Sequence, residues 1–104
     1  MDMKLLMRQA QEMQNKIQKI QEEVAQTEYE GSSGAGLVKV KILGSGNVKN
    51  IAIDDSLIDV SEKEVLEDLI VAAINDARKK ADDGSSEAMK KATGGLNLPA
   101  GFKI

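Results

Sequence analysis

The stretch GSSGAGLVKVKIL, residues 31–43, decides the fold. It joins a glycine-rich run to a segment in which Val38, Val40 and Ile42 alternate with lysines, and this alternation predicts a strand with one buried face. Phosphate-binding loops of the Rossmann or Walker type lead from a buried strand into a helix, whereas this run leads into a strand. The glycines therefore predict a strand connection with positive φ or a close backbone approach, and they argue against nucleotide binding.

Two further strands are predicted beside this one. TEYEGSS, residues 27–33, precedes it, and VKNIAID, residues 48–54, follows the turn signal GSGN. In the last segment Ile51 and Ile53 fall on one side of the strand. Three short antiparallel strands are not stable alone in water, so their apolar face needs a helix or a second copy of the chain against it.

A long helix is predicted before the sheet. From Met3 to Val24 apolar residues recur at alternating spacings of 3 and 4 without Gly or Pro, which indicates a coiled-coil-like seam about 33 Å long. The seam faces either a partner chain or a second helix of the same chain. The opposite stripe contains two cations, three amides and no acid, which suits phosphate oxygens and equally suits a solvated helix face. Its members are Lys4, Arg8, Gln11, Asn15 and Gln18.

A second long helix is predicted after the sheet. A capping box at Ser61 places its start near Glu62. Gly84 in a helix interior costs about 1 kcal/mol, which predicts a break or a weakened turn there before the helix continues to Gly94. The tail LNLPAGF, residues 96–102, is predicted to be irregular and to pack through Leu98 and Phe102.

The composition limits the possible functions. The chain has 104 residues and no Cys or His, which excludes thiol nucleophiles, disulfides, imidazole bases and the usual zinc sites. This length predicts a single domain, residues 1–104. The aspartates at 54, 55 and 59 lack the EF-hand spacing and are typical of turns and helix starts. We therefore predict no metal, no cofactor, no small-molecule substrate and no enzymatic activity.

Charge is distributed unevenly along the chain. The net charge is -3, but both ends are basic and the middle is acidic. Such asymmetry can orient a protein on a polyanion, although the charges are also consistent with ordinary solvated helix faces. No apolar run has the length of a signal peptide or a membrane span, so we expect a cytoplasmic protein without a membrane partner.

Five segments follow one another over nearly the whole chain. They are LMRQAQEMQNKIQKIQEEVAQ, GSSGAGLVKVKILG, IAIDDSLI, EVLEDLIVAAINDARKKA and LNLPAGF. In this combination the chain resembles the YbaB/EbfC family of bacterial nucleoid-associated DNA-binding proteins. The resemblance implies an α+β subunit with a long N-terminal helix, a three-stranded antiparallel sheet and a long C-terminal helix. It also implies a homodimer built around the sheets, whose protruding helices grip double-stranded DNA.

On this geometry the seam packs against the C-terminal helix of the same lobe and leaves the polar stripe to DNA. We expect phosphate contacts and low sequence specificity, because aromatic residues are scarce and no recognition-helix signature is present. The candidate DNA-binding residues are Lys4, Arg8, Gln11, Asn15, Arg78, Lys79, Lys80, Lys90 and Lys91.

Two departures from the family pattern and one alternative function accompany this interpretation. Asp55 stands where the family often has proline. Gly84 follows two aspartates where a continuous helix is expected, which puts in question the rigidity of the outer part of the helices that would grip DNA. The alternative is a non-enzymatic structural adaptor whose Gln/Met-rich helix and acidic centre bind a protein partner.

Overall fold

The fold consists of a helix, a three-stranded sheet and a second helix. The computed structural model describes residues 2–94. The elements are α1 Met3–Ala25, β1 Glu28–Ser33, β2 Val38–Leu43, β3 Val48–Ile53 and α2 Lys63–Gly94. The predicted α+β fold is confirmed, including the strand expected in TEYEGSS. The predicted packing of Leu98 and Phe102 lies outside the described residues.

The sheet is antiparallel, with β2 between β1 and β3. Val40 of β2 stands opposite Gly31 on one side and Ile51 on the other. A bulge after Lys41 then pairs Ile42 with Val48. The bulge restores the alternation, so the apolar residues of β2 and β3 share one face.

The core lies between this face and α2, which packs across β1 and β2. The buried hydrophobic residues are Val38, Val40, Ile42, Leu57, Ala73, Ala77 and Ala81. Small residues line the contact because the backbones approach closely. A Cβ placed on Gly31 would collide with the backbone of Ala77, so only glycine fits at this position of β1.

The rest of the glycine run turns the chain between β1 and β2. Gly34, Ala35 and Gly36 form a single 3-10 turn with φ values of +59°, +55° and +93°. Positive φ is the conformation that glycine adopts at little cost. Both parts of the prediction for this run, positive φ and close backbone approach, are confirmed.

Two aspartates organise the connection from β3 to α2. Asp54 Oδ1 accepts a hydrogen bond from the backbone N–H of Ser56 and Asp59 Oδ1 accepts one from Ser61, each at 2.9 Å. These bonds lower the pKa of both carboxyl groups below the ordinary aspartate value. The predicted helix start is correct to within one residue, but Asp59, and not Ser61, caps the turn that precedes α2.

Of the break or weakened turn predicted at Gly84, the break is wrong, because α2 is one continuous helix from Lys63 to Gly94. A Cβ on Gly84 would overlap the ring of Tyr29, which lies on the helix backbone at this point. Gly84 is therefore the site at which β1 seats its aromatic ring against α2. The helix tolerates the glycine because tertiary packing outweighs intrinsic propensity.

Candidate nucleic-acid interface

α1 and the last part of α2 form an arm that projects from the sheet. Both helices meet the β2–β3 turn at Gly44, where an added Cβ would collide with the Val24 carbonyl oxygen and approach the Ser85 hydroxyl. The molecule measures 73 × 20 × 16 Å, whereas α2 alone spans about 48 Å at 1.5 Å per residue. α1 therefore runs antiparallel to the end of α2 and extends beyond it.

The seam of α1 is covered by α2 over part of its length. Since Val24 and Ser85 lie at one level, the equal rise of the two helices puts Gly94 level with about residue 15 of α1. The seam residues within the covered part, Ile17, Ile20 and Val24, are half-buried, and so is Met13 just beyond it. The outer seam residues Met3 and Leu6 are 69% and 39% exposed. The predicted packing against α2 of the same chain is confirmed for the inner half of the seam.

The polar stripe of α1 faces solvent along its whole length. Lys4, Arg8, Gln11 and Asn15 are all exposed. Asp2 caps the helix by accepting a hydrogen bond from the backbone N–H of Lys4 at 3.0 Å. Gln11 Nε2 donates to Asn15 Oδ1 at 3.3 Å. The four candidates on α1 thus share one accessible surface.

The five candidates on α2 form two groups that are well separated. Arg78, Lys79 and Lys80 lie in the middle of α2, and Lys90 and Lys91 lie in its last turn on the arm. All five are exposed. Ten residues separate Lys80 from Lys90, which is about 15 Å along the helix. The structure therefore does not bring the nine candidates into one cluster.

Lys80 differs from the other candidates in having an anionic partner. Its Nζ atom lies 3.0 Å from Asp76 Oδ2, one turn earlier in α2. Asp76 also accepts a hydrogen bond from the backbone N–H of Ser32 at 3.0 Å. That hydrogen bond is the main cause that lowers the pKa of Asp76, and Lys80 lowers it further. Part of the positive charge of Lys80 is thus already compensated.

Two cations on the arm were not among the DNA-binding residues predicted from the sequence. Lys16 and Lys19 are exposed on α1, and Lys19 lies at about the level of Lys90 across the arm. Neither was included in the predicted stripe, although Lys19 follows Asn15 by four residues and therefore lies beside it on α1. Their proximity to Lys90 and Lys91 depends on where α1 and α2 meet, and no pattern within one helix carries that information.

The sheet has a separate charged surface on the face away from α2. Lys39 and Lys41 of β2 are exposed there. Lys49 of β3 pairs with Glu28 of β1, and this ion pair lowers the pKa of the Glu28 carboxyl. Cations and acids thus mix on this surface, in contrast to the polar stripe of α1.

The described part of the chain offers neither a metal centre nor a membrane span. Within residues 2–94, no group of three or more His, Cys, Asp or Glu side chains is placed to hold a metal ion. None of the helices in the same range is long and apolar enough to cross a bilayer.

The comparisons with known proteins agree with this geometry. The sequence model of the YbaB/EbfC DNA-binding family matches residues 1–96 of this chain. The chain belongs to the YbaB/EbfC DNA-binding family. A relative named nucleoid-associated protein, from Methylocella silvestris, is 52% identical over 103 residues, which cover 99% of this chain and 96% of that protein.

A protein of known structure shares the fold. The crystal structure of an uncharacterised protein from Helicobacter pylori superimposes with a TM-score of 0.69 at 27% sequence identity. The match covers 93% of this chain and 99% of that one. This fold is thus shared with another protein of known structure.

Proposed function

We propose that this YbaB/EbfC member is a nucleoid-associated protein that binds double-stranded DNA as a homodimer. The arms of the two subunits straddle the duplex and contact mainly phosphates, so sequence specificity is low. The observation that carries the proposal is the exposed arm, whose outer part presents cations and amides to solvent. Side chains of this kind bind phosphate oxygens and do not distinguish bases by themselves.

The contacting residues belong to the same proposal. On α1 they are Lys4 and Arg8, with Gln11 and Asn15 donating further hydrogen bonds. On α2 the candidates are Arg78, Lys79, Lys80, Lys90 and Lys91, to which the arm geometry adds Lys16 and Lys19. Each phosphate that a cation neutralises releases counterions, which gives affinity without sequence readout.

The uncovered part of the sheet supports the homodimer. α2 lies over β1 and β2, and β3 projects beside it with Val48 46% and Ile51 41% exposed on the apolar face. The surface continues after β3, where Val60 is 90% exposed beside a shallow, mostly apolar groove of about 400 Å³ that Leu57 and Leu66 help to line. An isologous contact through this surface would bury apolar residues of both subunits.

The adaptor function remains the second candidate because of the outer end of α1. Met3, Leu5, Leu6 and Met7 are each at least 39% exposed. Flexible methionine side chains suit a surface that packs against variable protein partners. A protein partner at this end would compete with DNA for the same part of the arm.

A charge reversal with a matched control tests the DNA function. Lys4→Glu combined with Arg8→Glu is expected to weaken binding of a duplex by at least about tenfold at low salt, because two phosphate contacts become repulsive. Lys39→Glu combined with Lys41→Glu makes the same change in net charge on the exposed outer face of the sheet. Fluorescence anisotropy with a labelled duplex measures both, and thermal melting checks that both variants fold.

Two results would contradict the proposal. One is equal loss of affinity in both double variants, which would mean that only net charge matters. The other is an unchanged affinity after reversal of Lys4 and Arg8. If the wild-type chain binds no duplex at low salt, the adaptor becomes the better account.

A further inference from the structure

The arm carries its charges in two bands. Its outer part, residues 2–21 and 88–94, has six Lys and Arg side chains against two acids. Its base, residues 22–27 and 82–87, has five carboxylates and no Lys or Arg. These five residues are called the acidic belt: Glu22, Glu23, Asp82, Asp83 and Glu87.

The acidic belt surrounds the base of the arm. Glu22 of α1 and Glu87 of α2 lie at about the same level, two residues outward from the level of Val24 and Ser85. All five carboxylates are exposed. The ion pairs found within residues 2–94 are Lys49 with Glu28 and Lys80 with Asp76, and neither involves the belt. The belt is thus a solvated band of negative charge.

The polar stripe of α1 ends in this belt. Positions 8, 15 and 22 are seven residues apart, which is close to two helical turns, so Arg8, Asn15 and Glu22 lie on one side of α1. The same stripe therefore changes from cation to amide to carboxylate toward the sheet. Arg8 and Glu22 are about 21 Å apart along the axis, which is more than twice the screening length of about 8 Å at physiological salt.

We propose that the acidic belt limits how deeply DNA seats on the arm. The proposal rests on the DNA-binding function proposed above. The belt repels phosphates that approach the base, while Lys4 and Arg8 lie beyond its screened field. DNA is therefore held by the outer part of the arm. Arg78, Lys79 and Lys80 lie on the sheet side of the belt. The seating proposal therefore removes these three residues from the set of DNA contacts proposed above.

Site-specific crosslinking tests the seating depth directly. The chain contains no cysteine, so a single introduced cysteine can carry a short aryl azide. Gln18→Cys places the probe on the outer arm, and Gln26→Cys places it at the sheet-side edge of the belt, level with about Asp83. Both positions are exposed and lie near the stripe. With labelled duplex at saturation, the probe at position 18 is expected to crosslink several-fold more than the probe at position 26.

Neutralising three of the five belt carboxylates should reduce this difference. Glu22→Gln, Glu23→Gln and Glu87→Gln together are expected to raise crosslinking at position 26 and to tighten duplex binding by about tenfold at low salt. Glu64→Gln, Glu67→Gln and Asp68→Asn make the same charge change on exposed residues of α2 outside the arm. This control is expected to change neither quantity appreciably.

The outcomes separate the belt from the DNA function itself. Equal crosslinking from positions 18 and 26 in the presence of the belt overturns the seating proposal while leaving DNA binding intact. Equal effects of the belt variant and the control also overturn it, since net charge alone would then be responsible. If the chain without any belt substitution binds no duplex, the proposed function fails and the seating proposal fails with it.

Discussion

At the scale of single residues, the contact between Tyr29 and Gly84 shows how tertiary packing overrides a local preference. Glycine is unfavourable in a helix interior by about 1 kcal/mol relative to alanine. The sequence therefore predicts a break or a weakened turn where the structure has an unbroken helix. The ring that occupies the missing Cβ position comes from β1, 55 residues earlier in the chain. No pattern near Gly84 contains that information.

The contact between Tyr29 and Gly84 predicts whether a substitution at position 84 stabilises or destabilises the protein. Gly84→Ala is expected to lower the free energy of unfolding by about 1 to 2 kcal/mol, because overpacking against Tyr29 exceeds the gain in helix propensity. Chemical denaturation of the wild type and the variant measures the change. In a Tyr29→Ala background the same substitution should be neutral or stabilising. A gain in stability with Tyr29 present would contradict the contact.

A second contact between residues predicts a pH dependence. Asp76 joins α2 to β1 through the Ser32 N–H, and its pKa lies below the ordinary value of 3.8. A carboxyl whose pKa is lowered by folding stabilises the protein above its unfolded pKa, and this contribution is lost as the pH falls through the lower, folded pKa. The stability advantage of the wild type over Asp76→Asn should therefore be present at neutral pH and shrink below about pH 4.

Denaturant titrations at neutral pH and near pH 3 measure this difference for both proteins. Asp68→Asn serves as a control on the same helix, since Asp68 is exposed and no ion pair within residues 2–94 involves it. An advantage over Asp76→Asn that stays constant between the two pH values would show that the Asp76 charge contributes nothing.

At the scale of elements, the sequence predicted what depends on periodicity. The seam of α1, the alternation in β2 and the glycine-rich turn before it are each a property of one segment, and each prediction was confirmed. What could not be predicted was the level at which α1 meets α2, since that depends on the contact at Gly44. For this reason the proximity of Lys16 and Lys19 to Lys90 and Lys91 was missed, and Arg78–Lys80 were grouped with cations that lie elsewhere.

Substitutions on the two faces of β3 test the proposed homodimer. Ile51 lies on the apolar face opposite Val40, and its neighbour Ala52 lies on the outer face opposite Lys39. Ile51→Lys is expected to convert the proposed dimer to monomer, because it places a charge in the contact surface. Ala52→Lys makes a similar change on the same strand and should leave the dimer intact. Light scattering gives both masses.

A monomeric mass for the unmodified chain at micromolar concentration would contradict the proposed homodimer. So would a dimer that survives Ile51→Lys and dissociates with Ala52→Lys. The second result would place the contact on the outer face of the sheet, among Lys39, Lys41 and the Glu28–Lys49 pair.

At the scale of the whole molecule, the net charge of -3 does not show how positive and negative charges are distributed along the arm. The chain is drawn out to 73 Å, and its exposed arm separates a cationic outer part from the acidic belt. In the proposed dimer two such arms present their outer cations to one duplex. A protein that is acidic overall can thus present cations to a polyanion, because Lys4 and Arg8 lie more than a screening length from the belt.

The salt dependence of duplex binding tests the central claim most directly. If the arms hold DNA through phosphate contacts, the logarithm of the association constant should fall linearly with the logarithm of the salt concentration, by about 0.9 per phosphate neutralised. With four or more outer cations engaged, we predict a slope of about -4 or steeper. A slope near zero, or no binding of duplex at low salt, would contradict the account.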